Sequence, residues 1–149
     1  MTTTVKSTAQ IYDLRTPYLS QGRTTDLRAK TDLTTVMVKV YAEGGENGMH
    51  NHPNEDHSFL VLEGEATFRL ETDDNTVVLG KHQGIMLPKH ANYWFQSSGS
   101  DNLVMVRFGA NDSGKPTGRL TPDGQEIPGD SPENKEVERI ERPGHGFGG

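Results

Sequence analysis

The chain of 149 residues has the length of one ordinary domain, and its hydrophobic share of 31% is lean for a packed core. A net charge of −6 argues against a nucleic-acid-binding surface, and no apolar run approaches the roughly 18 residues that a membrane span needs. Because cysteine is absent, disulfides, cysteine zinc sites and thiol nucleophiles are excluded. The polar first residues contain no signal-peptide hydrophobic region, so we expect a cytoplasmic protein.

Residues 1–32 are polar and weakly patterned, which predicts an N-terminal arm or an edge strand. Residues 33–110 instead carry short runs of β-forming residues between Gly, Asn and Asp turns. Val36, Val38 and Val40 alternate with their neighbours at the period of a half-buried strand. Comparable runs follow at 57–62, 66–71, 76–80, 85–88, 93–95 and 103–108. Several short strands joined by tight turns predict an all-β sandwich or barrel.

The composition changes again at residue 111. Residues 111–149 hold eight of the 17 glycines and five of the eight prolines, and hydrophobic residues are sparse there. This composition predicts an irregular Gly/Pro-rich tail, either disordered or lying over the domain or a partner subunit.

Five of the six histidines fall between positions 50 and 90. His50 and His52 are two residues apart, so on a strand both rings project from the same face. His57 shares its strand face with Phe59 and Val61, and it points into the core if they do. Three imidazoles that converge inside a small barrel are costly to bury without partners. A metal ion is the simplest common partner, because neutral imidazole is a frequent metal ligand.

The spacing Gly44-x5-His50-x-His52-x4-His57-x6-Gly64 resembles the first motif of the cupin superfamily, usually written G-x5-H-x-H-x3–4-E-x6-G. The segment LEGEATF that follows is also similar to the family. One anchor differs, because His57 stands where the family normally has glutamate. A divalent ion held by three neutral histidines would keep its full charge and would favour an anionic ligand with two oxygens.

The second cupin motif, G-x5-P-x-G-x2-H-x3-N, is matched poorly in HQGIMLPKHANYWFQS. Of its anchors only Pro88 is kept, while His82 and His90 occupy the glycine positions. Tyr93 occupies the position of the fourth metal-binding histidine, and Ser97 replaces the asparagine. The resemblance covers about residues 36–110.

The resemblance implies a small antiparallel cupin barrel (a double-stranded β-helix or jelly roll) with a metal-centred pocket, frequently dimeric, so we expect a homodimer. Residues 33–110 would form this barrel. Carried over by position, His50, His52 and His57 are the ligands of one divalent metal ion, with Fe(II) favoured and Zn, Ni or Mn as alternatives. A cupin that has lost its metal is the competing interpretation of the same three histidines.

The residues themselves leave other ligands open. Glu55, which shares the parity of His57, would be the third ligand in place of His57, as would Asp56 if the spacer were one residue shorter. His90 would become a ligand only if the turn after Pro88 folded over the pocket. His82 and His145 are expected to be solvated, and Trp94 to pack outside the barrel.

Two further side chains are candidates for catalysis. The phenol of Tyr93 would ligate the metal, donate a hydrogen bond to substrate, or act as an acid/base if its pKa near 10 were lowered. Arg107 is the one charged residue in LVMVRF. It would hold a carboxylate or phenolate if it points inward, and it is an ordinary surface charge if it points outward. Both faces of that strand are apolar, so parity does not decide the question.

Together these features predict a metal-dependent cupin enzyme, with a non-haem Fe(II)-type dioxygenase acting on a small enolisable or phenolic metabolite as the preferred function. The alternatives are a redox-neutral Zn, Ni or Mn lyase, isomerase or cyclase, and a non-catalytic binding module. The expected partner is a small molecule, with neither nucleic acid nor a membrane involved.

Overall fold

The computed structural model of the chain describes residues 8–46, 48–112, 114–116, 118–127 and 138–149. Across these ranges the secondary structure is ten β-strands, and no helix there is long and apolar enough to cross a membrane. The strands are β1 (Thr16–Gln21), β2 (Arg23–Lys30), β3 (Thr34–Tyr41), β4 (Glu55–Glu63), β5 (Ala66–Leu70), β6 (Thr76–Leu79), β7 (Gly84–Leu87), β8 (Tyr93–Ser97), β9 (Leu103–Asn111) and β10 (Ile140–Phe147).

The strands form three antiparallel sheets. The largest has the order β2-β3-β9-β4-β7, a second has the order β6-β5-β8, and β1 pairs with β10. One core cluster joins the first two sheets, with Phe59 and Met105 from the larger sheet packed with Phe68 and Phe95 from the smaller. The all-β barrel that the strand and turn pattern predicts is therefore confirmed, and its interior lies between these two sheets.

Strand β9 runs through the middle of the larger sheet and is buried on both faces. Met105 belongs to the barrel core, while Val104 packs in a second cluster with Leu19 of β1. A strand covered on both sides reads as a continuous apolar run, which is why its alternation is uninformative. The register pairs Arg107 with Met37 on one side and with Phe59 on the other. Arg107 consequently lies on the face that points into the barrel.

Gly64, the last glycine of the histidine motif, forms the turn between β4 and β5. Its φ is +85°, and a Cβ at this position would lie 2.4 Å from the carbonyl oxygen of Asn102. Glycine is needed here both for the left-handed backbone and for the close approach of this turn to the backbone of Asn102. The neighbouring side chain of Asn102 is buried, and it binds the backbone N–H and carbonyl of Leu19 at 2.7 and 2.9 Å.

Segments outside residues 33–110 also contribute strands. Within the predicted arm, β2 pairs with β3 along the edge of the larger sheet, and β1 pairs with β10 from the predicted tail. The polar composition hides these strands, since an edge strand has a solvated side and needs little apolar sequence. Residues 118–127, called the strap below, lie against the histidine loop. Positions 1–7 of the predicted arm and 128–137 of the predicted tail are outside the described residues.

Candidate metal centre

The loop between β3 and β4 carries the first two histidines of the motif. His50 is fixed by two backbone hydrogen bonds with Tyr93 of β8, at 3.1 and 2.9 Å. His57 lies on the inner face of β4, opposite Gly109. The ring centroids of His50 and His52 are 5.2 Å apart, and those of His52 and His57 are 4.1 Å apart. The structure thus gathers all three predicted rings at one end of the barrel.

Backbone carbonyls orient two of these rings. Nδ1 of His50 lies 2.9 Å from the carbonyl oxygen of Gly48, and Nδ1 of His52 lies 3.1 Å from that of Gly118 in the strap. Since a carbonyl only accepts, each Nδ1 carries the proton in a neutral ring and Nε2 presents a lone pair. This is how outer partners orient histidine ligands of metals.

Two buried ring nitrogens make no aligned hydrogen bond, and at His57 this fits a donor set for a metal ion. Nε2 of His50 and Nε2 of His57 are both buried, and neither has an aligned hydrogen bond among the described residues. Buried polar atoms are rarely left in this state, because an unsatisfied nitrogen loses its hydration without compensation. A cation bound next to His57 would satisfy its Nε2, whereas Nε2 of His50 already lies 3.0 Å from Glu46.

One compact group of donors can hold a single ion. His52, Glu55 and His57 each offer one ligand atom, and the three atoms lie within 4.8 Å of one another. Glu55 Oε1 is 3.4 Å from His57 Nε2. The structure therefore unites two of the three predicted histidines with Glu55, which the sequence offered as an alternative to His57 and which lies beside it instead. Asp56 faces elsewhere, where its Oδ1 accepts a hydrogen bond from the Lys89 backbone at 2.9 Å.

His50 has a different neighbour. Its Nε2 lies 3.0 Å from Glu46 Oε2, in an ion pair whose geometry is not that of an aligned hydrogen bond. Burial alone would lower the pKa of His50, but the negative charge of Glu46 outweighs burial and raises that pKa. His50 thus carries a proton more readily than the two histidines beside it.

The other two rings are held neutral. Burial lowers the pKa of His52 to about 2, with help from the neighbouring His57 and His50 rings. Burial also lowers the pKa of His57, although the contact with Glu55 opposes the effect. Neutral imidazole is the form that ligates metals, so the pair is electrostatically prepared for an ion.

Tyr93 is buried beside these rings. Its hydroxyl lies 3.3 Å from His52 Nε2 and 3.5 Å from His57 Nδ1. Burial, followed by the charge of Glu46, raises the pKa of Tyr93 well above its usual value of 10. The environment therefore keeps the phenol protonated, as a hydrogen-bond donor.

The remaining sequence candidates lie apart from this group. His82, His90 and His145 are exposed, and His90 contacts the site through its backbone N–H, which donates to the His52 carbonyl at 3.1 Å. Trp94 lies outside the barrel core, where its ring stacks under Arg69 at 4.6 Å.

Two interior residues were missed by the sequence reasoning. Glu46 and Lys39 have side chains buried near the histidines, and Lys39 is only 7% exposed. A signal for Lys39 exists, because on β3 it shares its face with Met37 and Tyr41, whose large apolar side chains mark that face as an interior one. Glu46 lies in a Gly-rich loop, and nothing in its local sequence distinguishes it from a surface residue.

Comparison with known proteins agrees with this architecture. Residues 37–108 match the family model described as the cupin domain. Comparison with curated proteins gives no match.

Solved structures with the same fold come from distant organisms. A conserved protein with a double-stranded β-helix domain from Klebsiella pneumoniae is 17% identical, with a TM-score of 0.59 over 72% of this chain and 94% of that one. An RmlC-like cupin from Methanocaldococcus jannaschii is 17% identical, with a TM-score of 0.58 over 72% and 95%. KdgF from a Halomonas species is 20% identical, with a TM-score of 0.52 over 59% and 78%. At these identities the likeness is one of fold.

Proposed function

This chain belongs to the cupin superfamily, and from that premise we propose that it is a metal-dependent enzyme whose one divalent ion is held by His52, Glu55 and His57. The single observation that carries the proposal is the compactness of this group, whose ligand atoms lie within 4.8 Å of one another. Two neutral imidazoles and one carboxylate form the ligand set typical of non-haem Fe(II) oxygenases. We therefore propose dioxygenation of a small enolisable or phenolic metabolite as the reaction.

Ferrous iron at this group would supply the activation of dioxygen. The chain itself supplies a hydrogen-bond donor, since the protonated Tyr93 hydroxyl lies next to both histidines. It also excludes water on one side, where Phe59 packs against Phe68 and Phe95 at centroid distances of 5.4 and 5.5 Å. A phenolic or enolic oxygen placed beside Tyr93 would accept its hydrogen bond, which would orient the substrate.

The ion pair of His50 and Glu46 favours a second candidate function. With Glu46 Oε2 3.0 Å from His50 Nε2, the pair can hold and move one proton beside the donor group. A redox-neutral lyase, isomerase or cyclase with Zn, Ni or Mn would use such a pair as its acid/base. In this alternative His50 transfers protons, whereas the sequence motif assigned it to the metal.

Metal analysis and oxygen uptake of the purified protein test the proposal. We expect about one iron per chain and oxygen consumption with catechol or a 1,3-diketone as the probe substrate. The variant His52→Ala should lose both, and His82→Ala, at an exposed turn, should lose neither. Zinc, nickel or manganese without oxygen uptake would favour the second candidate. Equal metal content in wild type and His52→Ala would overturn the metal site.

A further inference from the structure

Two positively charged side chains lie next to each other on the inner face of the larger sheet. The register of β3 and β9 pairs Met37 with Arg107 and Lys39 with Met105. Lys39 and Arg107 are therefore diagonal neighbours on one face, within reach of each other's long side chains. Like charges in this arrangement repel, and the charge of Arg107 adds to burial in lowering the pKa of Lys39. Packing alone gives no reason to keep both.

Neither cation has a carboxylate within ion-pair distance among the described residues, although the charge of Glu46 acts on Lys39 from further away. Lys39 is 7% exposed, and its Nζ donates to the hydroxyl of Thr25 at 3.3 Å. Arg107 Nη2 donates to the sulfur of Met37 at 2.9 Å, which is a weak acceptor, and the buried Arg107 Nε has no partner among the described residues. The ion pairs among the residues that the structure describes include neither side chain.

A cavity lined by Arg107 reaches Glu55, one member of the candidate metal group. Its volume is about 640 Å³, and its lining includes Arg107, Gly109 and Glu55. A Cβ on Gly109 would lie 2.7 Å from Thr35 Oγ1 and 3.5 Å from the His57 ring. The glycine therefore leaves space next to Thr35 and the His57 ring, and a side chain at this position would have to displace Thr35. The volume is that of a typical small-molecule site.

We propose that Arg107, with Lys39 deeper on the neighbouring strand, forms an anion subsite that takes the carboxylate of an acidic substrate. The edge of a guanidinium that presents Nε and one Nη matches the two oxygens of a carboxylate. On Arg107 this edge is occupied by the weakly accepting sulfur of Met37, which also lines the cavity and which a carboxylate would displace. Lys39 adds a second positive charge behind it. The inference rests on the proposed function only for the other end of the substrate, which would face His57 and Glu55.

Benzoate is the probe that tests the subsite, because it is a small planar carboxylate. Titration into the full-length protein after treatment with a chelator separates this subsite from any metal. We expect benzoate to bind and to shift the Arg107 Nε–H signal in the nitrogen–proton correlation spectrum. Benzamide, its neutral analogue, should produce neither effect. In calorimetry, Arg107→Met should weaken benzoate binding about tenfold or more, because a charge-assisted pair is lost.

Matched variants keep the test independent of folding. Arg107→Lys retains the charge without the fork and should bind benzoate with intermediate affinity. Lys39→Met should also weaken binding, while Lys81→Met, in an exposed turn, should match wild type. Unchanged benzoate affinity in Arg107→Met and Arg107→Lys would overturn the subsite. Inorganic phosphate that binds more tightly than benzoate at Arg107 would overturn the assignment to a carboxylate.

Metal content and benzoate binding test the proposed function and the anion subsite separately. If the purified protein and His52→Ala hold equal amounts of metal but benzoate binding still depends on Arg107, the proposed function fails and the subsite stands. If metal binding depends on His52 while benzoate binding ignores Arg107, the subsite fails and the proposed function stands.

Discussion

The hydroxyl of Tyr93 lies between two histidines of the candidate metal centre, 3.3 Å from His52 Nε2 and 3.5 Å from His57 Nδ1. A tyrosine here could ligate the metal, donate a hydrogen bond or act as an acid/base, and burial favours the hydrogen-bond donor. A raised pKa disfavours the phenolate, so we expect Tyr93 to act by donating a hydrogen bond rather than by ligating the ion.

Replacing Tyr93 with phenylalanine removes only this donor. We expect Tyr93→Phe to retain its metal, to change the free energy of unfolding by about 1 kcal/mol or less, and to lower kcat by roughly 10²-fold or more. Metal content and steady-state kinetics measured on one preparation check this, with Tyr12→Phe at an exposed position as the control. Loss of metal from Tyr93→Phe would instead identify the phenol as a ligand.

Lys39 is a buried charge that the fold retains at a cost. Burial, followed by the charge of Arg107, lowers its pKa from 10.5 to about 8, while Glu46 opposes the shift and Arg23 and Arg119 add to it. Between pH 8 and 10.5 the folded protein binds fewer protons at this site than the unfolded chain. Stability therefore rises with pH across that window. Below pH 8 the full penalty of about 3 kcal/mol applies.

Removing this charge should stabilise the protein. We expect Lys39→Met to raise the free energy of unfolding at pH 7 by roughly 2–3 kcal/mol, and the gain should shrink between pH 8 and 10.5. Denaturant unfolding at pH 7 and at pH 10 measures both effects, with Lys81→Met as the exposed control. A variant less stable than wild type at pH 7 would show that the Lys39 charge already has a partner inside the folded protein.

At the scale of elements, the strap determines how the histidine loop is held. Asn51 and Leu120 exchange two backbone hydrogen bonds at 2.9 Å, and the Gly118 carbonyl orients His52 through Nδ1 at 3.1 Å. Ile127, at the end of the strap, is 9% exposed and anchors it. The strap is thus an outer support of a ligand, although it lies more than 60 residues further along the chain.

Loosening the strap should weaken metal binding without removing a ligand. Leu120→Pro deletes the N–H that donates to Asn51, and we expect metal affinity to fall roughly 10- to 100-fold while the barrel stays folded. Leu120→Ala retains both backbone bonds and should stay within about threefold of wild type. Competition with a chelator measures affinity, and hydrogen exchange of the Asn51 amide reports the loosening. Equal affinities of the two variants would contradict a supporting role for the strap.

Element by element, the success of sequence reasoning follows the range of the interactions. Tight turns and short alternating runs are local signals, so the strands between residues 33 and 110 are predictable. The pairing of β1 with β10 joins segments more than 100 residues apart, and neither is apolar enough to mark a strand. Arg107 could not be placed from the sequence for a different reason. Its strand is apolar on both faces, so the alternation of residue types does not predict which face its side chain occupies.

At the scale of the whole molecule, the candidate metal centre depends on the packing of two sheets, since His57 lies on the larger sheet and Tyr93 on the smaller. The motif spacing correctly predicted that the rings of His50, His52 and His57 lie close together, because the first two are in the loop just before β4 and the third is on β4. It could only offer Glu55 as a replacement for His57 and did not indicate that both would join one group, while His50 pairs with Glu46, which turns inward from a loop. Lys39 and Glu46 become buried only when the two sheets pack together, and the local sequence around each residue does not predict that packing.

Diffraction from crystals of the iron-loaded protein, measured at the iron absorption edge, tests the central claim most directly. We predict one anomalous peak, about 2.0–2.2 Å from a ligand atom of each of His52, Glu55 and His57, which disappears in His52→Ala. A peak held by other residues, or no peak after loading with iron, zinc, nickel and manganese in turn, each measured at its own absorption edge, would contradict the account.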